Sequence, residues 1–258
     1  MRRVTLLTDF GTADGYAAAL KGILAAGAPE AFLDDVTHDI PQGDVEKGSR
    51  VLSRYWRLYP EGTVHLVVVD PGVGTDRRGV VAEANGRFFV APDNGVLSRV
   101  LTEARGWRMV SLEASEKLPR PRSRTFHGRD LFAPAAVLLL NGKDPDDLGP
   151  RVEDPVMLQE PRSRRREGGI EGEVVEVDRF GNLATNLPPG VFSEVALVVV
   201  AGREVRGRGT YGDVEEGDLL ALLDSQGRVE VAARNDSAAR ILRVGRGTPV
   251  LLPTPPER

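Results

Sequence analysis

Four carboxylates stand where chemistry is commonly placed. Asp9 follows the apolar run Val4–Thr8 in TDFGTADGY, and Asp39 follows a second run in VTHDIP. Asp70 ends VHLVVV just before Pro71-Gly72-Val73-Gly74, and Asp14 lies five residues beyond Asp9. An acid held by the end of a buried strand, facing a loop where backbone can approach closely, is well placed to bind substrate or take a proton. Asp14 has a competing role, capping the first helix. The glycines after Asp70 lack the Lys-Ser/Thr of a phosphate cradle, which excludes a P-loop. Arg77 and Arg78 come next, and one of them could pair with Asp70 or position a substrate. His127, in RTFHGRD, sits at a helix entrance after an Arg/Pro-rich loop. A lone histidine is more often structural, but near strand-end carboxylates its neutral titration suits proton transfer. His38-Asp39 lacks the further histidines that a metal site needs.

Further along, DRFGNLATN packs Asp178, Phe180, Asn182 and Asn186 into one turn. An Asn amide can both donate to and accept from a purine edge. Tyr211 in GTYGD is flanked by glycines that leave its ring open for stacking. Taken alone, both segments are better explained by ordinary turn chemistry.

Composition narrows the choices. The 258 residues include no cysteine and three histidines, and 34 basic against 38 acidic side chains leave a formal charge of −4. Thiolate metal sites, Fe–S clusters, disulfide scaffolds and cysteine nucleophiles are excluded. The acidic balance argues against general nucleic-acid binding. The N-terminus does not read as a signal peptide and no run is long enough to span a bilayer, so a cytoplasmic protein is expected. Arg162 and Arg164–Arg166 could bind phosphate, but Pro161, Gly168 and Gly169 around them favour a solvated linker.

The elements that must position these residues alternate in the first half. Strands are expected at 4–8, 31–36, 64–69 and 108–112, with a hairpin about Asn85-Gly86. Helices are expected at 14–26, from Asp44 to about Tyr59, shortly after Asn94, and from about Asp130 to Leu140. That pattern predicts an α/β domain over 1–155 with a mostly parallel sheet. A Pro/Arg-rich linker over 156–169 follows. Residues 170–258 then read as short strands and turns with no convincing helix, a smaller all-β, barrel-like domain.

Seven segments, in order, carry a resemblance: TDFGTADGY, PQGDVEKG, PEGTVHLVVVDPGVGT with Arg77 and Arg78, APDNGVLS, TFHGRD, VVEVDRFGNLATN and LDSQGRVEVAARN. Together they resemble the S-adenosyl-L-methionine hydroxide adenosyltransferases, adenosine-forming hydrolases related to the fluorinases and chlorinases. The resemblance implies an N-terminal α/β domain, a C-terminal β-barrel, and a homotrimer whose sites lie between one subunit's N-domain and a neighbour's C-domain. It implies S-adenosyl-L-methionine as substrate, with no metal and no separate cofactor, and no nucleic-acid or membrane partner. By the same resemblance Asp70, Arg77 and His127 orient and activate the attacking water. Asp9 holds the ribose diol, and Asp14 lies at the methionine end. Phe180, Asn182 and Tyr211 hold the adenine with Arg234 and Asn235 nearby, while Asp178 and Ser225 contact the methionine amino and carboxylate groups. The halogenases differ: they resemble this chain with Tyr in place of Asp70, Ser in place of Gly128, Trp in place of Gly43 and Arg in place of Gln226. A carboxylate at Asp70 repels halide and attracts a water proton, so hydrolysis is the expected reaction.

Overall fold

Alternation in the strands sets the layers of the first half. In the computed structural model, β1 (Arg3–Thr8), β2 (Phe32–Thr37), β3 (Val64–Val68), β4 (Gly79–Ala84), β5 (Arg87–Pro92) and β6 (Trp107–Ser111) form one sheet in the order β2-β1-β3-β5-β4-β6. The structure describes residues 2–112, 118–119, 122–194 and 196–254. It divides into two compact units, Met1–Leu158 and Gln159–Arg258.

In the first unit β2, β1, β3 and β5 pair in parallel, and β4 alone runs the other way between β5 and β6. The β4–β5 reversal is the Asn85-Gly86 hairpin, with φ of 47° and 72° at the two turn residues. Side chains alternate across β3. Val64, Leu66 and Val68 face a core with α1 (Tyr16–Gly27) and α4 (Ala133–Leu140). Val67 and Val69 face the opposite core with α2 (Val45–Tyr55) and α3 (Ser98–Glu103). Both faces of the sheet are covered, so its strands read as continuous apolar runs. His65 belongs to this core: it lies level with Thr5 on β1 and Phe89 on β5, bonds Thr5 through Nδ1 at 2.8 Å and stacks on Phe89 at 4.9 Å.

The helix expectations hold in outline, with one correction. Asp44 caps α2 by accepting from the Lys47 amide. Asp14, however, caps nothing: α1 begins at Tyr16 behind Gly15, which has no side-chain cap, and Asp14 is exposed.

The second unit is an antiparallel sheet in the order β11-β10-β14-β8-β9-β13-β12, with β7 beside β8. Its strands are β7 (Arg164–Arg166), β8 (Gly169–Val177), β9 (Leu183–Thr185), β10 (Leu197–Val200), β11 (Arg203–Arg206), β12 (Leu219–Leu223), β13 (Val229–Ala233) and β14 (Pro249–Pro253). A bridge from Gly207 to Ala221 joins the two ends of the path, so the sheet nearly closes into a barrel around Val174, Val198, Val229 and Val231. Two features depart from expectation. The arginine run is exposed, as a solvated segment should be, yet Arg164–Arg166 adds an edge strand to β8. A short helix α5 (Ala238–Leu242) also exists, capped by the Ser237 hydroxyl and ended by left-handed Arg243. Among the described residues no helix is long and apolar enough to cross a membrane.

Candidate active site

Parallel pairing brings the carboxyl ends of β1, β2, β3 and β5 to one edge of the first unit, the place where open α/β sheets bind ligands. Asp9 follows β1 there, and its Oδ2 accepts the Gly43 amide at 2.8 Å. Asp70 follows β3. Its strand end is pinned by Asn94, whose side-chain amide donates to the Val69 carbonyl at 2.8 Å.

The Pro71–Arg77 turn folds back on Asp70. Gly74 adopts a φ of +81°, and a side chain there would meet the Arg124 carbonyl at 3.0 Å, so only glycine fits comfortably. The turn returns Arg77 to Asp70 as a fork: Nε donates to Oδ1 at 3.0 Å and a terminal nitrogen donates to Oδ2. The same terminal nitrogen lies 3.2 Å from His127 Nδ1. Phe132 floors the guanidinium, 5.3 Å below it. Asp70 and Arg77 are almost fully buried, at 6% and 8% side-chain exposure, in a site that shields charge from water. Burial pushes the Asp70 carboxyl above its ordinary range, while Arg77 and His127 pull it back down. His127 is presented by the start of a wide helical turn, Gly128–Phe132, that runs into α4. Phe126 beside it packs edge-on against Phe10 and Tyr16, at 5.9 and 5.3 Å, and so ties His127 to the Asp9 segment.

Arg78 goes elsewhere, to Asp93 at 2.7 Å and Asp154 at 2.8 Å. Asp39 is exposed and His38 is structural, with Nδ1 on Thr8 at 2.8 Å and Nε2 on Asp35 at 3.2 Å. Asp14 points to no partner in the Asp70 group and stands in the exposed stretch before α1.

In the second unit Asp178 organises its turn. Its Oδ1 accepts the amides of Phe180 and Asn182 at 2.8 and 2.9 Å, and Oδ2 accepts the Asn182 side chain at 3.1 Å. Asn182 is buried and spends a donor internally, whereas Phe180 is 69% exposed. Tyr211, 41% exposed, donates to Glu230 Oε1 at 2.7 Å. Ser225 is exposed in a turn held by Asp224, which accepts the Gln226 and Arg228 amides at 2.8 Å each. Arg234 and Asn235 bond the neighbouring turn, to the Val214 carbonyl at 2.7 Å and to Glu216 at 2.8 Å. Asn186 locks β8, accepting the Glu173 amide at 2.7 Å.

Sequence reasoning missed Asn94 and Glu230. Asn94 gave a signal, since an amide directly after a strand end can tie neighbouring loops. Glu230 gave none: in RVEVAA it alternates with valines as a solvent-facing residue would, yet it is only 6% exposed. Among the described residues no three His, Cys, Asp or Glu side chains are grouped to hold a metal ion.

Comparison with known proteins agrees with this division. Residues 4–149 match the SAM hydroxide adenosyltransferase N-terminal domain and residues 172–251 the SAM hydroxide adenosyltransferase C-terminal domain. A Thermus thermophilus protein named (R)-S-adenosyl-L-methionine hydrolase is 41% identical over 98% of this chain and 100% of its own. A fluorinase from an Actinoplanes species is 27% identical over 71% of each chain. A crystal structure of an uncharacterized conserved protein from Thermotoga maritima superposes with a TM-score of 0.88 at 34% identity, covering 98% of this chain and 100% of that one.

Proposed function

The chain belongs to the SAM hydroxide adenosyltransferase family, and on that premise we propose that it hydrolyses S-adenosyl-L-methionine to adenosine and L-methionine. The observation that carries the reading is the Arg77 fork, which joins a buried carboxylate to an imidazole at the ligand-binding edge of the sheet. The relatives at 30–41% identity that bear the hydrolase name support the same substrate.

The roles follow from donor and acceptor chemistry. Arginine only donates, so His127 Nδ1 accepts and the ring proton resides on Nε2. That N–H donates to the oxygen of a bound water. Asp70, ionised and with acceptor capacity beyond the two bonds from Arg77, takes one of the water's protons. The water oxygen then forms a bond to the ribose C5′ as the C5′–S bond breaks, and its electron pair leaves on sulfur as methionine. A sulfonium leaves readily, so the scheme contains no general acid and no metal. Asp9, braced by Gly43, holds the ribose diol in line; holding reactants in geometry is worth up to about 7–11 kcal/mol in favourable systems. Phe180 and Tyr211 are exposed and are assigned to the adenine, with Asp178 and Ser225 assigned to the methionine end. Asn182 contributes by shaping the Asp178 turn, with Arg234 and Asn235 bordering the same unit. Asp14 stays assigned to the methionine end through the family resemblance alone. The working enzyme in this proposal is a cytoplasmic homotrimer.

Turnover in ¹⁸O-water tests the reading. The expected products are methionine and adenosine carrying one ¹⁸O at the 5′-hydroxyl, at a rate unchanged by chelator or by chloride. Formation of 5′-chloro-5′-deoxyadenosine in chloride would identify a halogenase instead, and tight binding without turnover would identify a sensor. Sedimentation gives the assembly: a mass other than three chains refutes the trimer.

A further inference from the structure

Glu230 is an acid without a role in the scheme above, and its setting is unusual. It lies on β13 at a barrel position only 6% exposed, opposite Leu222 on β12 and Ala184 on β9. A buried carboxyl without a partner is costly, and Glu230 has one partner of particular consequence: the Tyr211 hydroxyl, 2.7 Å away. The hydroxyl donates to the acid while the residue as a whole stays 41% exposed. Tyr211 itself sits on a single short turn, Tyr211–Asp213, between glycines, so local backbone gives its ring little support. The Thr210–Asp213 capping box fixes that turn but leaves the side chain to be oriented by its far end.

We propose that Glu230 is a positioning residue for adenine recognition: by accepting the Tyr211 hydroxyl, it holds the exposed phenol ring in the one orientation that stacks on the base. The proposal rests on the hydrolase reading of the site and adds to it a residue that selects for the purine end of the substrate. The surrounding charges favour a durable bond. Burial first, and then Asp178 and Asp224, raise the Glu230 carboxyl above its ordinary range, with Tyr211 and Arg228 acting the other way. Burial and the neighbouring acids likewise raise the Tyr211 phenol, so the hydroxyl keeps its proton. Aromatic stacking is sequence-tolerant but geometry-dependent, and a ring free to rotate loses part of its stacking energy to entropy.

Steady-state kinetics on the full chain separates this role from a structural one. Glu230→Ala is expected to raise KM for S-adenosyl-L-methionine about fivefold to tenfold, the weight of one hydrogen bond, with kcat within twofold. Product inhibition by adenosine should weaken by the same factor, while inhibition by L-methionine, which has no base, should not move. Glu230→Gln keeps a side-chain oxygen acceptor and should restore most of the affinity. Tyr211→Phe keeps the ring, deletes the hydroxyl, and should reproduce the Glu230→Ala defect; combining the two should add nothing further. A Tyr211→Phe enzyme indistinguishable from wild type overturns the proposal, and that variant decides alone if Glu230→Ala does not fold. Equal weakening of adenosine and methionine inhibition also overturns it. Failure of the wild-type chain to release adenosine defeats the hydrolase reading itself, a result distinct from either of these.

Discussion

Asp70 is held between opposing forces, and the balance sets how the enzyme should respond to acid. Burial favours its neutral form; the Arg77 fork and His127 favour the anion. Burial is the larger effect, so the carboxyl titrates above the ordinary aspartate value of about 3.9. Its protonated form is the one the fold prefers. That contribution to stability is complete below the ordinary value and is lost as pH rises through the raised one, so ionisation of Asp70 at working pH runs against folding, and in the proposed scheme it serves catalysis. Activity has the opposite sign, because only the anion accepts a proton. We therefore expect the acid limb of kcat/KM to lie above the ordinary aspartate value, and Asp70→Asn to lower kcat by about 10²–10⁴-fold with little change in substrate affinity. A pH–rate profile of wild type and variant checks both; an acid limb at or below the ordinary value would remove Asp70 as the base. The residues of this group were legible because strand ends announce themselves. Asp70, Arg77 and His127 flank a strong strand, a glycine turn and a helix entrance. Which of two adjacent arginines turns inward was not legible, since Arg77 and Arg78 differ only in the path of a turn. Glu230 was illegible for a related reason: its burial is decided by a tyrosine 19 residues away.

At the scale of elements, legibility follows length. The runs that became β1, β3 and β8 and the helices α1, α2 and α4 each extend over several periods of their pattern, and the sequence reads them directly. β7, β9 and α5 have three, three and five residues, too few to show a period, and they exist because neighbours complete them. β9 fills the gap between β8 and β13, and α5 docks Ala238 and Leu242 on the barrel core. The join between α5 and the Asp178 turn is unusually close. Gly181 has a φ of +83°, and a Cβ there would fall 2.0 Å from the Ser237 hydroxyl and 3.0 Å from the Ser237 backbone. Gly181→Ala thus meets both a strained backbone and a backbone neighbour that no rotamer change can clear. We expect a loss of about 2–3 kcal/mol in denaturant unfolding, only partly recovered by adding Ser237→Ala, since the Cβ at position 237, 2.6 Å away, and its main chain both remain. Full recovery in the double variant would place the conflict in the hydroxyl alone. Because this turn also sets Phe180 and Asn182, the variant should lose affinity for adenosine before it loses its fold.

At the scale of the molecule, the three-histidine count takes on a physical meaning. His127 stands beside the Asp70–Arg77 pair, His38 is tied between Thr8 and Asp35, and His65 lies in the centre of the six-stranded sheet. His65 is completely enclosed by Thr5, Tyr55, Tyr59 and Phe89, and burial, with Arg87 nearby, pushes its pKa down to about 3. In the unfolded chain the same ring titrates near 6.5. The folded state therefore binds fewer protons than the unfolded state between those values. Its stability is whole above about pH 6.5 and falls as the medium is acidified toward pH 3, by about 1 kcal/mol per pH unit from this one group. His65→Gln removes the titration while leaving a polar group for Thr5. The variant will be less stable at neutral pH, having lost the stack on Phe89, but its unfolding free energy should decline less steeply with acid. Denaturant unfolding at a series of pH values between 7 and 4 measures the two slopes, and equal slopes would mean that His65 is already protonated within the fold. The comparison of slopes is independent of the packing cost of the substitution. It is also independent of Asp70, whose raised carboxyl acts in the opposite direction in both proteins. A buried imidazole at the centre of the sheet thus lowers the acid tolerance of this unit, while the proposed chemistry uses another ring, His127.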